Sequence, residues 1–192
     1  VKDGQNLNFA IPSQYLKELL SKKGQGLLLK SWPLDFSVPP AVLGKPTIRD
    51  TTIVKQVALY LQRVHVRRWK LDDKRSESMF DSYLSALDPQ RMYFTAADVA
   101  GFKASRHKID DYLISGDLDF AFKVGEVFLA RVEECSRRVK KLVEQEQDFT
   151  ADEYFQIDRA EALYAFGEKE VADLWRKRVK VLLLEKLVDG KT

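Results

Sequence analysis

The sequence is poor in several residues and patterns that identify a class of protein. It contains one cysteine and two histidines, and its longest uninterrupted apolar run has five residues. The single cysteine, Cys135, excludes an internal disulfide bond and says nothing about whether the compartment is oxidising. A membrane-spanning helix requires roughly 20 apolar residues, so no span is predicted. Residues 1–25 also lack the pattern of a secretory signal peptide.

The chain carries little excess charge. Its 192 residues include 32 Lys or Arg and 29 Asp or Glu, which leaves a net charge of +3. Binding to nucleic acid requires a concentrated basic face, and this small excess does not predict a nucleic-acid partner. The length is sufficient to bury a sizeable core, so the chain is expected to fold as one domain, or as one domain plus a fragment.

Proline is concentrated in the first half of the sequence. All six prolines lie before residue 90, and four of them fall between residues 33 and 46. Proline lacks a backbone N–H and disfavours helix in the residue before it, so residues 24–45 are predicted to be a linker. From residue 46 to residue 192 the pattern is helical. We therefore predict a mainly α fold, an irregular multi-helix domain preceded by a proline-rich linker.

The first predicted helix follows this linker, and Asp50 can cap it. Apolar residues then recur at the three- and four-residue spacing that is typical of one buried stripe: Ile53, Val57, Leu61 and Val64. The helix is expected to run to about Trp69.

Further helices are predicted along the rest of the chain. They lie at about 74–87, 95–104, 109–114, 117–142 and 168–188, and a short one begins at the capping-box pattern Thr150-x-x-Glu153. The longest has one continuously apolar face. Its other side carries the acid-before-base pairs Glu133–Arg137 and Glu134–Arg138, so it is predicted to be amphipathic and to pack on other helices.

Neither histidine is predicted to be a metal ligand or a catalytic base. His65 lies in a basic helix end that complements the helix macrodipole, and His107 is interpreted as solvated. No second histidine or cysteine lies at a spacing that would place two zinc ligands on one helix face. Cys135 falls within the apolar stripe of the longest helix, where a buried thiol behaves as a small hydrophobe with a raised pKa.

The other reactive-looking patterns have structural interpretations. Acidic pairs fall at element boundaries, where we interpret them as caps: Asp72-Asp73, Asp110-Asp111, and Asp117 with Asp119. Asp81 and Asp88 are interpreted as structural hydrogen-bond acceptors. Gly190-Lys191-Thr192 resembles the end of a phosphate-binding loop, but Glu185 stands where that motif requires glycine. We therefore predict no catalytic residue, no cofactor and no metal ligand in this chain.

The most specific pattern in the sequence is the stretch from Leu71 to Phe94, which contains Phe80-Asp81-x-Tyr83-Leu84-x-x-Leu87-Asp88. Other segments match in order and spacing: Ser115-Gly116-Asp117-Leu118-Asp119, Asp148-Phe149-Thr150, Asp158-Arg159, and Leu174-Trp175-x-x-Arg178-Val179-Lys180. Through these segments, residues of about 46–192 resemble the N-terminal helical domain of the tail-specific, or C-terminal processing, serine peptidases.

This resemblance implies a peptidase in which a PDZ domain and a domain with a Ser-Lys dyad follow the helical domain. It implies proteolysis of exported proteins, a periplasmic or membrane-associated location on the exported side, and protein substrates or an adaptor as partners. A lysine can act as the base when burial lowers its pKa. None of that dyad is identifiable in this chain, so its status as an enzyme is left open. We expect no hydrolysis by these residues alone.

Residues 1–23 resemble a different family. The segment from Gly4 to Leu20 is similar to the closing strand and helix of a trypsin-like, HtrA-type protease domain, a short strand-plus-helix remnant. In that family the catalytic Ser, His and Asp lie upstream of this segment. The chain therefore resembles the tail of one protease joined to the head of another, as in a tandem-protease fragment or a fused gene model.

Two alternative functions follow from the same residues. The chain could be a stand-alone helical interaction module that holds a partner helix or an adaptor, or the C-terminal extension of a trypsin-like protease. The coding sequence after Thr192 discriminates the module from the peptidase: a PDZ-like segment followed by Ser and Lys at peptidase spacing supports the peptidase, and a stop codon favours the module.

Overall fold

The fold is given by a computed structural model, which describes residues 43–66 and 70–188, with only the backbone of residues 187 and 188. It contains six α-helices within these ranges: α1 (Ile48–Arg63), α2 (Asp73–Leu87), α3 (Ala96–Phe102), α4 (Ile109–Ser115), α5 (Asp119–Val143) and α6 (Glu168–Val188). The described residues form no strand, which confirms the predicted mainly α fold. The remnant at 1–23, nearly all of the predicted linker and the Gly190-Lys191-Thr192 end lie outside the described residues.

The start of α1 is a capping box. Thr47 is the N-cap, and its hydroxyl accepts a hydrogen bond from the backbone N–H of Asp50 at 3.3 Å, while the Asp50 carboxylate accepts from the Thr47 N–H at 2.8 Å. Asp50 therefore supports the helix start from its third position, and the cap itself is Thr47. The helix ends at Arg63, which is earlier than the predicted end near Trp69.

The predicted buried stripe of α1 is wrong for three of its four residues, and the fourth, Leu61, is half-buried. Ile53 is 46% exposed, Val57 48% and Val64 65%, and the buried residue of this helix is Ala58 on the other side. Helix α1 packs on α4 through that other side, and Ile53, Val57 and Val64 remain exposed.

The contact between α1 and α4 depends on Gly116. This residue ends α4 in the left-handed conformation, with φ of 73°. A Cβ atom at this position would lie 2.7 Å from Cε of Lys55 and 2.8 Å from Cγ2 of Thr51. Glycine is thus required both by the backbone turn and by the close approach of α1.

The main core lies between α2, α3 and α5. Its buried members are Phe80, Leu84, Phe94, Phe102 and Val124. The Phe94 ring is fully buried and lies 5.7 Å from the Phe102 ring and 5.6 Å from the Phe128 ring, between centroids. The hydroxyl of Tyr83 on α2 donates a hydrogen bond to the carbonyl oxygen of Ala121 at the start of α5, at 2.9 Å. This interior confirms the apolar face predicted for α5.

A second, smaller core joins the far half of α5 to α6. Cys135, Ala165 and Val171 are buried together in it. Trp175 packs against them and donates its indole N–H to the carbonyl oxygen of Met92 at 3.0 Å. Through this bond the last helix is attached to the turn that follows α2.

The short helix predicted at Thr150-x-x-Glu153 is wrong, because residues 144–167 connect α5 to α6 without helix. The hydroxyl of Thr150 donates to the Asp148 carboxylate at 2.6 Å. The carboxylate of Glu153 instead binds Arg176 and the Nζ of Lys180, the latter at 2.7 Å. Two cations of α6 therefore take the acceptor that a capping box would have used.

Candidate functional site

The end of the Leu71–Phe94 segment is organised around the buried carboxylate of Asp88. This side chain is 1% exposed. Its Oδ1 accepts from the N–H of Met92 at 2.8 Å, and its Oδ2 accepts from the N–H groups of Tyr93 and Phe94 at 2.9 and 3.0 Å. Three backbone donors of the turn are thus satisfied by one side chain, which places Phe94 in the core. This geometry confirms the structural interpretation of Asp88.

The same turn is attached to the long connection before α6. Arg91, which has φ of 50°, donates from Nη1 to the carbonyl oxygen of Ala162 at 2.5 Å. The amide oxygen of Gln90 accepts from the N–H of Arg159 at 2.7 Å. Residues 88–95 and 159–165 therefore form one structural unit, although about 70 residues separate them along the chain.

Cys135 has the properties of a packing residue. It is 2% exposed, and burial raises the pKa of its thiol to about 11. A thiol with that pKa is protonated near neutral pH and is a poor nucleophile. The buried, inert thiol predicted from the apolar stripe of the helix is confirmed.

One serine makes a short hydrogen bond to a carboxylate. The hydroxyl of Ser76 on α2 donates to Oδ1 of Asp110 on α4 at 2.5 Å and accepts from the Asp110 backbone N–H at 2.9 Å. Ser76 is fully buried and Asp110 is 7% exposed. Because both groups face the interior and bond each other, they join two helices and offer no hydroxyl to a substrate.

The remaining sequence candidates are separate from one another. Nε2 of His107 lies 3.6 Å from Glu77, with more than half of the histidine side chain exposed, and His65 lies beyond the end of α1. Asp72 caps α2, and Asp117 accepts from the N–H of Asp119. Asp81 pairs with Arg106 at 2.8 Å on the surface. Among the described residues no group of three or more His, Cys, Asp or Glu side chains is placed to hold a metal ion.

Two ion-pair networks join residues that are distant in sequence. Asp98 on α3 accepts two hydrogen bonds from Arg131 on α5, both at 3.0 Å, and Arg131 also bonds Glu134. Burial alone would raise the pKa of Asp98, but the hydrogen bonds from Arg131 and Thr95 outweigh it and hold that pKa below the ordinary value.

The second network is on α6. Hydrogen bonds from Arg176 and Lys180 lower the pKa of Glu153 to about 2. Sequence analysis missed both networks, since each joins residues more than twenty positions apart. The acid–base pairs within α5, Glu133–Arg137 at 2.7 Å and Glu134–Arg138 at 3.0 Å, were recognised from their spacing, and the structure confirms them.

A shallow surface cavity of about 420 Å³ lies between the connection before α6 and the first turns of that helix. It is lined by Arg159, Leu163, Tyr164, Ala165, Lys169, Glu170, Asp173 and Leu174. Burial lowers the pKa of Arg159, whose Nε has no hydrogen-bond partner among the described residues. The lining combines two cations, two carboxylates and apolar surface, and it contains no Ser, Thr or Cys that could act as a nucleophile.

The chain was compared with known proteins. Residues 57–192 match the family model of the tail-specific protease N-terminal domain. The chain belongs to this family. A tail-specific protease of Haemophilus influenzae is 30% identical to it in an alignment of 169 positions that covers 81% of this chain and 24% of that protein. The chain thus spans about a quarter of the length of the curated relative that it matches.

These comparisons confirm the family that was inferred from the Leu71–Phe94 stretch and the segments after it. They also agree with the fold, because the matched region contains every described helix from α2 to α6 and part of α1. Within the described residues, no helix combines the length and the apolar character that crossing a bilayer would require.

Proposed function

We propose that this chain is the non-catalytic N-terminal region of a C-terminal processing serine peptidase that acts on exported proteins. The observation that carries the proposal is the match of residues 57–192 to the N-terminal domain of tail-specific proteases, together with a relative about four times as long as the matched region. The peptidase chemistry would then belong to the rest of a longer protein. In that protein a PDZ domain and a Ser-Lys peptidase domain follow this region.

The arrangement of polar groups supports a scaffold role. Asp88, Ser76 and Asp110 are buried and use their hydrogen bonds to hold turns and helices together. Cys135 is buried with a raised pKa. A hydrolytic site needs an accessible nucleophile beside a base, and these groups meet neither condition.

The scaffold contacts protein substrates or an adaptor through its surface. The cavity beside α6 is the most suitable contact surface, because Leu163 and Phe166 at this side of the molecule are 88% and 84% exposed. We place the protein on the exported side of the membrane, in the periplasm or attached to the membrane surface. A stand-alone module is less favoured, since the curated relative extends far beyond the matched part.

A peptide assay tests the proposal. The purified 192-residue chain is incubated with a peptide that ends in apolar residues, beside a protein in which the same chain is continued by its native downstream sequence. We expect turnover only with the continued protein. Turnover by the 192 residues alone would contradict a non-catalytic role, and a stop codon directly after Thr192 in the gene would contradict the larger peptidase.

A further inference from the structure

The surface cavity beside α6 is lined by two cations that lack ionic partners. Arg159 lies in the connection before α6, and Lys169 lies in the first turn of that helix. Among the described residues, no carboxylate lies at ion-pair distance from either side chain. Both positive charges are therefore open to an anionic ligand.

The hydrogen-bonding capacity of Arg159 is incompletely used. Its Nε has no partner within the described part of the chain, and its Nη2 donates to the carbonyl oxygen of Leu163 at the long distance of 3.4 Å. Burial lowers the pKa of Arg159, and this effect exceeds the attraction of the Asp88 carboxylate. A guanidinium presents a planar fork of N–H donors that matches a carboxylate. An anion at this side chain would thus compensate a charge that the fold leaves unpaired.

The carboxylates of the same lining are already engaged. Asp173 pairs with Arg176 at 2.7 Å and with Lys177 at 2.9 Å. Oε2 of Glu170 accepts a hydrogen bond from the backbone N–H of Phe166 at 2.7 Å. The lining contains as many carboxylates as cations, but its unpaired charge is positive.

Exposed apolar side chains lie next to these cations. Leu163 lines the cavity and is 88% exposed. Phe166 follows the lining residue Ala165 and is 84% exposed. Removing such surface from water is favourable. A ligand that carries both an acidic and an apolar group would use both features of this site.

We propose that the cavity binds an acidic segment of a partner protein, in which an apolar side chain lies next to an Asp or Glu. The carboxylate of that segment binds Arg159 and Lys169, and its apolar side chain contacts Leu163 and Phe166. The charged hydrogen bonds fix the position of the segment, while the apolar contact supplies the burial.

The combination of features favours a protein over other anionic partners. Inorganic phosphate or nucleic acid would use the two cations but leave Leu163 and Phe166 in water. Nucleic acid also requires a concentrated basic face, and two cations do not form one. A bilayer would bring lipid phosphates against the exposed carboxylate of Glu170 in the same lining.

This inference rests on the proposed function, because it names the chemistry of the substrate or adaptor that the scaffold contacts. The two proposals fail separately. Peptide turnover tests the non-catalytic role, whereas the experiment for the cavity measures binding and involves no proteolysis.

Isothermal titration calorimetry with the 192-residue chain tests the proposal. The probe is a short peptide in which glutamate alternates with leucine and phenylalanine, with both ends blocked so that the glutamates supply all of its charge. One control peptide has glutamine for each glutamate, and another has alanine for each leucine and phenylalanine. We expect saturable binding of the probe, weaker binding in high salt, and binding of each control peptide that is about tenfold weaker or less.

Three variants with matched controls locate the site. Arg159→Gln is expected to weaken binding of the probe about tenfold, and Lys169→Gln about threefold, because each removes one unpaired cation. Leu163→Ser is expected to weaken it about fivefold. The controls are Lys103→Gln, at an exposed cation outside the cavity lining, and Ile48→Ser, at an apolar residue that is also 88% exposed. Both controls are expected to bind like the parent chain.

Several outcomes would overturn the proposal. They are no binding of the probe by the parent chain, equal binding of the probe and the glutamine peptide, and equal losses in the variants and their controls. Self-association of the chain that Arg159→Gln abolishes, without binding of the probe, would assign the cavity to a second copy instead. Circular dichroism checks that each variant keeps the parent helix content. Lys169→Gln and Leu163→Ser change exposed side chains, so they keep the test decisive if Arg159→Gln disturbs the fold.

Discussion

Helices α1 and α5 have similar sequence patterns and opposite environments. Both carry apolar residues at three- and four-residue spacing, yet Val124 and Cys135 of α5 are buried while Val57 and Val64 of α1 are about half exposed or more. The difference lies in the neighbours. Helix α5 is covered by α2 on one part and by α6 on another, whereas α1 contacts α4 through a side centred on Ala58. Periodicity predicts a helix and its apolar face, but a partner decides whether that face is buried.

Replacing an aromatic residue by alanine in the core and on α1 is expected to give the largest difference in stability between the two regions. Phe94→Ala should lower the free energy of unfolding by about 4 kcal/mol, because it removes a fully buried ring and leaves a cavity between α2, α3 and α5. Tyr60→Ala on α1 should change it by about 0.5 kcal/mol or less, since that ring is 53% exposed. Urea unfolding followed by circular dichroism measures both. Equal losses of stability in the two variants would mean that the Tyr60 ring is buried in solution.

The buried carboxylate gives the next effect. Asp88→Ala leaves three backbone N–H groups of the turn without an acceptor, and we expect a loss of about 3 kcal/mol. Asp81→Ala, seven residues earlier, removes an exposed pair with Arg106 and should cost less than about 1 kcal/mol. Urea unfolding of the two variants side by side compares their losses of stability. Similar losses would contradict the structural role assigned to Asp88.

The ion pairs of α6 have a smaller effect that depends on pH. Hydrogen bonds from Arg176 and Lys180 lower the pKa of Glu153 to about 2 from an ordinary value of 4.5. The stabilising contribution is therefore complete above pH 4.5 and is lost as the pH falls through the folded-state pKa. Glu153→Gln should cost about 1 kcal/mol near neutral pH, after allowance for solvent screening.

The control for this prediction is the pH series itself. The difference between Glu153→Gln and the parent chain should narrow below pH 4.5 and nearly vanish close to pH 2. A difference that stays constant over this range would show that the carboxylate does not carry the effect.

The smallest effect is expected on the outer side of α5. Glu133→Gln breaks an exposed pair with Arg137 and should cost about 0.3 kcal/mol. Glu134→Gln should cost more, because its carboxylate bonds both Arg131 and Arg138 at a less exposed site. Thermal unfolding at low and high salt compares the two, and salt should remove most of the first effect. A larger loss for Glu133→Gln would mean that the more exposed of the two ion pairs stabilises α5 more, which contradicts the expected order.

Local signals in the sequence predicted most of the helices, because caps and stops act within a few residues. Thr95 with Asp98 forms a capping box at the start of α3, and Gly116 ends α4 in the left-handed conformation. The pattern Thr150-x-x-Glu153 failed for a non-local reason, since Arg176 and Lys180 bind the acceptor from α6. The stripe of α1 failed in the same way, because its environment depends on the packing of α4.

The functional interpretation depended on a different kind of signal. Spacing alone could interpret Asp88 as a hydrogen-bond acceptor, but it could not identify the three N–H groups that it binds or the attachment of this turn to residues 159–165. The resemblance of the whole Leu71–Phe94 stretch to a known family identified the family to which this chain belongs. The exposure of Ile53, Val57 and Val64 became visible only when the packing of α1 was known.

The non-catalytic role of this chain is tested most directly by covalent labelling. The purified 192-residue chain is treated with a fluorophosphonate that reacts with activated serine hydroxyls, and its intact mass is measured. We expect an unchanged mass, because the Ser76 hydroxyl is buried and hydrogen-bonded to the Asp110 carboxylate. A stoichiometric mass increase that maps to a serine of this chain would contradict it.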